Sequence, residues 1–233
     1  MKGYFNKMKT FLLVIILMLA PIVFLSSIKN SVDAIEDNEK QFIVIDPGHG
    51  GIDGGGMSAS GIYEKEINLL ISYYLKTYLE NSGYNVVLTR SGDYDLASKD
   101  SNNRKKEDIN KRVDIINKDN TILFISIHCN IYSDDSIRGA QTFYNSNYED
   151  NKILSNNIQK RLCSILKNTN RKEKSITDKY LIDNAKKTGC LIEVGFLSNK
   201  EEFNLLVNPS YQDKVAYSIY IGIIEFLGVN NNF

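Results

Sequence analysis

Histidine is nearly absent from this 233-residue chain: there are two, His49 and His128, so any chemistry that needs imidazole must pass through those positions. Cysteine is scarce as well. Cys129, Cys163 and Cys190 are odd in number, far apart and without a CxxC spacing, which excludes a disulfide scaffold and a thiolate zinc finger. A surplus of one charge is also lacking, because 28 basic and 28 acidic side chains cancel. That removes the general electrostatic reason to expect nucleic acid as a partner. No segment repeats, and none is compositionally simple enough to read as disordered. The glycine-rich segment 48–56 is not followed by Lys-Ser or Lys-Thr, and its GxGxxG spacing breaks at Asp53. A phosphate-cradling nucleotide loop is therefore excluded.

What is present begins with a leader. Lys2, Lys7 and Lys9 precede an apolar run over 11–25, followed by Ser26 and Ser27. This order is that of a secretory signal or an uncleaved membrane anchor, and the run falls short of the ~20 residues that span a bilayer comfortably. Val32-Asp33-Ala34 offers a cleavage site. Residues 1–28 are thus expected to direct export, and the polar stretch 29–40 to act as a linker. About 200 residues remain, enough for one well-buried domain, expected over 41–228 with a short tail at 229–233.

Within that domain, apolar runs of the buried-strand type occur at 42–45, 84–89, 122–127, 140–144 and 190–194. Helical spacing connects them. Ile67, Leu70, Ile71, Tyr74, Tyr78 and Leu79 mark a helix from Glu64 ended by Ser82-Gly83. Further helices are predicted over 106–118, 153–166 and 211–227, the last using Val215, Ile219, Gly222, Ile223 and Phe226, with Gly228 placed to end it. Alternation of strand and helix predicts a single α/β domain: a mostly parallel twisted sheet of about six strands with helices on both faces. In such sheets ligands bind beyond the carboxyl ends of the strands.

Both histidines map to that edge, His49 just past the first strand and His128 at the end of the third. An isolated histidine is ordinarily a packed or solvent-facing side chain. Two of them at adjacent strand ends, beside a glycine loop that lets the backbone turn tightly, point instead to a metal. Catalytic zinc sites supply three protein ligands and keep a position open. Glu64, at the first turn of a helix reached from His49 through the loop, fits as the third. Glu66 competes, but two residues on it points ~200° around the helix, so only one of the two is expected to bind. Glu193 lies inside the apolar strand CLIEV, where an ionised carboxylate is costly without a partner. A salt bridge is the structural explanation. Near the same sheet edge it would instead serve as the base that takes a proton from water and hands it to a leaving nitrogen. Arg90 and Arg138 near strand ends are read as contacts to a substrate carboxylate or as surface salt bridges. The basic clusters at 104–112 and 167–174 are read as solvated faces.

Four blocks, in order, carry a family resemblance: Ile45-Asp46-Pro47-Gly48-His49-Gly50-Gly51, then Tyr63-Glu64-Lys65, then Ser126-Ile127-His128-Cys129-Asn130, then Ile192-Glu193-Val194-Gly195-Phe196-Leu197-Ser198-Asn199. They resemble the motif blocks of the zinc-dependent N-acetylmuramoyl-L-alanine amidases of the amidase-3 type, and the likeness runs from about Gln41 to Leu227. The resemblance implies His49, Glu64 and His128 as ligands of Zn2+ and Glu193 as the catalytic carboxylate. It chooses Glu64 over Glu66, because the family's ligand precedes a lysine, here Lys65. It implies peptidoglycan as substrate, cut between the lactyl group of muramic acid and L-alanine. Asp178-Lys179-Tyr180-Leu181 is similar to the sporulation- and germination-associated members, which act on spore cortex so that muramic lactam can form. The rival readings are another zinc hydrolase of the wall (a carboxypeptidase or a deacetylase) and an inactive wall scaffold. Cys129 stands where the family often has a small residue and is expected to pack, since adjacent strand residues face opposite ways. Asn130 is a candidate to orient a ligand or substrate from behind. With no wall-binding repeat in view, targeting is expected to come from the leader, the compartment or a second protein.

Overall fold

Strict alternation along the first strand decides where the layers go. Ile43 and Ile45 bury against one set of helices, and Phe42 and Val44 against another, as side chains of period two must. This strand, β1 (Phe42–Pro47), is fully buried. In the computed structural model, which describes residues 40–230, it is followed by α1 (Glu64–Asn81), β2 (Asn85–Leu88), α2 (Arg104–Ile116), β3 (Thr121–Asn130), β4 (Gln141–Tyr144) and α3 (Glu149–Leu166). Then come β5 (Lys174–Ser175), α4 (Tyr180–Asn184), β6 (Gly189–Phe196), α5 (Lys200–Leu206) and α6 (Pro209–Asn230). The leader expected at 1–28, residues 29–39 of the linker and residues 231–233 lie outside the described residues. Among the described residues, no helix is long and apolar enough to cross a membrane.

The six strands form one sheet in the order β2-β1-β3-β6-β4-β5. Strands β2, β1, β3 and β6 run parallel, whereas β4 pairs antiparallel with β6 and β5 follows β4. The reversal has a simple cause. Residues 131–140 contain no helix and are too short for the crossover that a parallel neighbour requires. On one face Ile71 and Leu75 of α1, Leu154 and Ile158 of α3, and Ile219 and Ile223 of α6 pack together with Ile125 and Ile192 of the sheet. On the other, Val113 and Ile116 of α2 and Leu181 and Ile182 of α4 meet Val44, Phe124 and Leu191.

The expected helices are all present, with shifted ends. The second opens at Arg104, because Asn103 caps it by accepting a hydrogen bond from the Lys106 amide at 3.2 Å. The last runs on to Asn230, so Gly228 lies inside it rather than ending it. Strand β5 and helices α4 and α5 were too short to leave a periodic signal.

Candidate metal centre and active site

The site is assembled at the carboxyl ends of β1, β3 and β6. His49 follows β1 by two residues and sits in a left-handed backbone conformation, φ 62°, which a non-glycine residue seldom adopts. Two buried arginines hold it there. Arg112 of α2 donates to the carbonyls of Pro47 at 2.8 Å and His49 at 2.6 Å, and Arg90 donates to those of Pro47 at 3.0 Å and Gly48 at 2.9 Å. Arg90 also reaches the Lys65 carbonyl at 2.8 Å, and so ties the loop to the start of α1. Arg90 is 1% exposed and Arg112 2%. Arg90 is therefore neither a substrate contact nor a surface ion pair, and Arg112 is no part of a solvated face. Arg138 is the surface pair, 2.7 Å from Glu201.

Beneath the loop lies Asp46, the last side chain of β1 before Pro47. Burial alone would raise its carboxyl, but Arg112 at 2.8 Å and the hydroxyls of Thr89 at 2.6 Å and Ser126 at 2.7 Å hold it below the ordinary carboxylate range. Arg112 also pairs with Asp108 one turn back on α2, at 2.8 Å.

Glu64 opens α1 and turns inward, 4% exposed, while Glu66 faces solvent. Its Oε1 accepts from the Cys129 amide at 3.0 Å and the Asn68 side chain at 3.1 Å, and lies 2.9 Å from Nδ1 of His128. Its Oε2 accepts from the Gly56 amide at 2.9 Å and lies 3.3 Å from Nε2 of His49. Burial would raise this carboxyl; the contacts with His128 and His49 outweigh it and keep the group ionised well below its usual range. The approach is so close that a Cβ at Gly55 would sit 2.6 Å from Glu64 Oε2, and Gly55 itself has φ 69°. The imidazoles of His49 and His128 meet edge to face, 5.0 Å between centroids. Nδ1 of His49 is engaged by Asp53 at 3.1 Å, which leaves Nε2 toward Glu64. Burial disfavours a proton on this ring, yet Glu64 and Asp53 together raise its pKa above the ordinary value.

One donor atom from each of His49, Glu64 and His128 lies within 4.8 Å of the others. Two imidazole nitrogens and one carboxylate oxygen are a donor set that suits zinc and leaves a coordination position open. Glu193 stands beside them by register: His128 and Glu193 are direct partners across the β3–β6 pairing. Its Oε2 is buried and without a hydrogen-bond partner among the described residues, and burial pushes its carboxyl up from the usual value. No ion pair neutralises it within 4 Å among the described residues, unlike the structural explanation open from sequence. All four residues line one cavity of about 700 Å3.

The neighbouring candidates separate. Cys129 packs in the core with its thiol pushed well up by burial; only its amide serves the site. Asn130 lines the cavity, and its carbonyl accepts from the Leu197 amide at 2.8 Å, with no bond to a ligand residue among the described residues. Sequence reasoning missed Asp53, Asn68 and the Asp46–Arg112–Asp108 group. Only Asp46 left a signal, as an acid at the end of an apolar strand.

The N-acetylmuramoyl-L-alanine amidase family pattern matches residues 43–225. The germination-specific N-acetylmuramoyl-L-alanine amidase of Bacillus subtilis (strain 168) is 44% identical over 189 residues, covering 80% of this chain and 79% of that one. The solved CwlD amidase from Clostridioides difficile, in complex with the GerS lipoprotein, is 39% identical with a TM-score of 0.79, over 82% of this chain and 100% of that one. The catalytic domain of CwlV, the amidase from Bacillus (Paenibacillus) polymyxa var. colistinus, is 30% identical with a TM-score of 0.71, over 81% and 99%.

Proposed function

The chain belongs to the N-acetylmuramoyl-L-alanine amidase family, and from that premise we propose that it is a zinc enzyme with His49, Glu64 and His128 as ligands and Glu193 as its acid–base. The family membership removes the carboxypeptidase and deacetylase alternatives. The reaction is hydrolysis of the amide joining the muramic acid lactyl group to L-alanine of the stem. Residues 41–228 are assigned as the catalytic domain, behind a leader at 1–28 that carries the protein to the wall side of the membrane.

The observation that carries the reading is the meeting of three donor atoms able to hold a metal within 4.8 Å, in a cavity shared with a buried carboxyl oxygen that has no hydrogen-bond partner among the described residues. Zinc, when bound, supplies polarisation of the scissile carbonyl and acidification of a water molecule. The protein's residues do the rest. Glu193, its proton affinity raised by burial, takes a proton from the attacking water and returns it to the departing alanine nitrogen. Asp53 keeps the His49 ring turned with Nε2 toward Glu64. The backbone amides of Gly56 and Cys129 keep the Glu64 carboxylate fixed. The products are an unsubstituted lactyl carboxylate and a stem with a free alanine amine.

Mass spectrometry of digested peptidoglycan tests the bond, since any other new terminus rejects it. Glu193→Gln is expected to retain stoichiometric zinc and lose about 100-fold or more of turnover, the scale of general acid–base catalysis. Turnover near the wild-type rate would remove Glu193 from the reaction.

The germination-specific relative and the CwlD relative support a role on spore cortex, and the CwlD–GerS complex supports a protein partner for this chain. Cortex from spores lacking the protein is expected to be depleted in muramic lactam. Cortex with its normal lactam content would move the enzyme to the vegetative wall.

A further inference from the structure

The cavity that holds the zinc-binding cluster extends well past it. Its apolar floor is made by Ile109, Leu181, Ile182 and Leu191, and its rim carries the exposed ammonium groups of Lys105, Lys106 and Lys179. Of the other acids inside, Asp108 pairs with Arg112 at 2.8 Å, and Asp53 with His49 at 3.1 Å and Lys105 at 3.4 Å. Lys106 and Lys179 enter no ion pair within 4 Å among the described residues. Lys179, the residue just before α4, lines the cavity with Leu181 and Ile182 and shares it with Glu193, whose charged form it favours. Asp178, just before Lys179, takes a left-handed conformation, φ 65°, of the kind that in residues other than glycine clusters at active sites and ligand clamps. A cation lining the same cavity as the acid–base, over an apolar floor, suits an anionic group attached a short distance from the scissile bond. In peptidoglycan those anionic groups are the carboxylates of the stem.

We propose that Lys179 is a specificity-determining residue, which binds a free carboxylate of the stem peptide on the leaving-group side of the scissile amide while the alanine methyl rests on the apolar floor. This rests on the amidase reading above and adds which part of the substrate is recognised. A pair of muramyl peptides tests it, identical except that the second stem residue carries a free carboxyl in one and a carboxamide in the other. The wild type is expected to prefer the carboxylate by roughly tenfold in kcat/KM, the scale of one solvent-accessible charge-assisted contact, and raised salt is expected to narrow the preference. Lys179→Met is expected to bring the ratio to about threefold or less, mainly by raising KM for the carboxylate peptide, with Lys179→Arg restoring it. The control Lys152→Met, on the exposed side of α3 and outside the cavity, is expected to keep the wild-type ratio. A wild type without preference, a Lys179→Met enzyme with the full preference, or one impaired equally on both peptides would overturn the assignment. If the wild type cleaves neither peptide, the amidase reading itself fails, and the assignment with it.

Discussion

Asp46 shows how much of the site depends on buried side chains that bond one another. It is buried at the end of β1, bonded to Arg112, Thr89 and Ser126, and Arg112 in turn holds the His49 carbonyl. Removing one partner of a buried ion pair leaves the other charge uncompensated, so Asp46→Asn is expected to cost about 3–5 kcal/mol at neutral pH. The sign of the pH dependence follows from its lowered pKa. A carboxyl depressed in the folded state contributes stability that is complete above its unfolded value and is lost as pH falls through the folded one. Stability of the wild type is therefore expected to decline below about pH 3.8 in part through Asp46. Denaturant titrations at several pH values should show a flatter acid limb for Asp46→Asn. Parallel curves for the two proteins would remove Asp46 as a contributor.

At the scale of elements, the contact between α3 and α6 turns on one glycine. A Cβ at Gly222 would lie 2.5 Å from Ile158 Cα and 2.8 Å from its amide nitrogen, and a backbone cannot rotate out of the way as a side chain can. Two effects compete in Gly222→Ala. Helix propensity favours alanine by about 1 kcal/mol, whereas forcing two packed helices apart costs about 1–3 kcal/mol. Because the obstruction is main chain, the packing cost is expected to win, and Gly222→Ala should unfold at lower urea concentration than the wild type. A stabilised variant would mean that the helices shift freely. The periodicity of α6 was legible because Val215, Ile219, Ile223 and Phe226 repeat on one face. The closeness of the approach was not, since it depends on which residue of α3 lies opposite.

The whole molecule gathers the three donor atoms that could hold a metal from separate pieces: the loop after β1, the first turn of α1, and β3. An ion there links segments that the unfolded chain does not hold together, so it binds the native state preferentially. Free zinc at about a thousand times its Kd would stabilise the fold by about 4 kcal/mol. For a domain of this size that corresponds to about 8–16 °C in Tm. Chelation is expected to lower Tm by that order, with restoration on adding zinc back. An unchanged Tm would mean that the three side chains do not share an ion.

The sequence by itself determined the layered α/β plan and singled out His49, Glu64, His128 and Glu193, which the fold brings to one cavity at the edge of the sheet. Those depend on local periodicity and on motif blocks, which any short window of the chain displays. It read Arg90 and Arg112 wrongly and passed over Asp53, because what a side chain touches is set by partners brought from far away, as Asp46 is to Arg112 across 66 positions. Only the folded chain decided that His128 and Glu193 share a register, that His49 bends to φ 62° under two arginines, and that Lys179 faces the same cavity. Strand pairing and loop conformation are cooperative outcomes of packing the entire core, and no segment carries them alone.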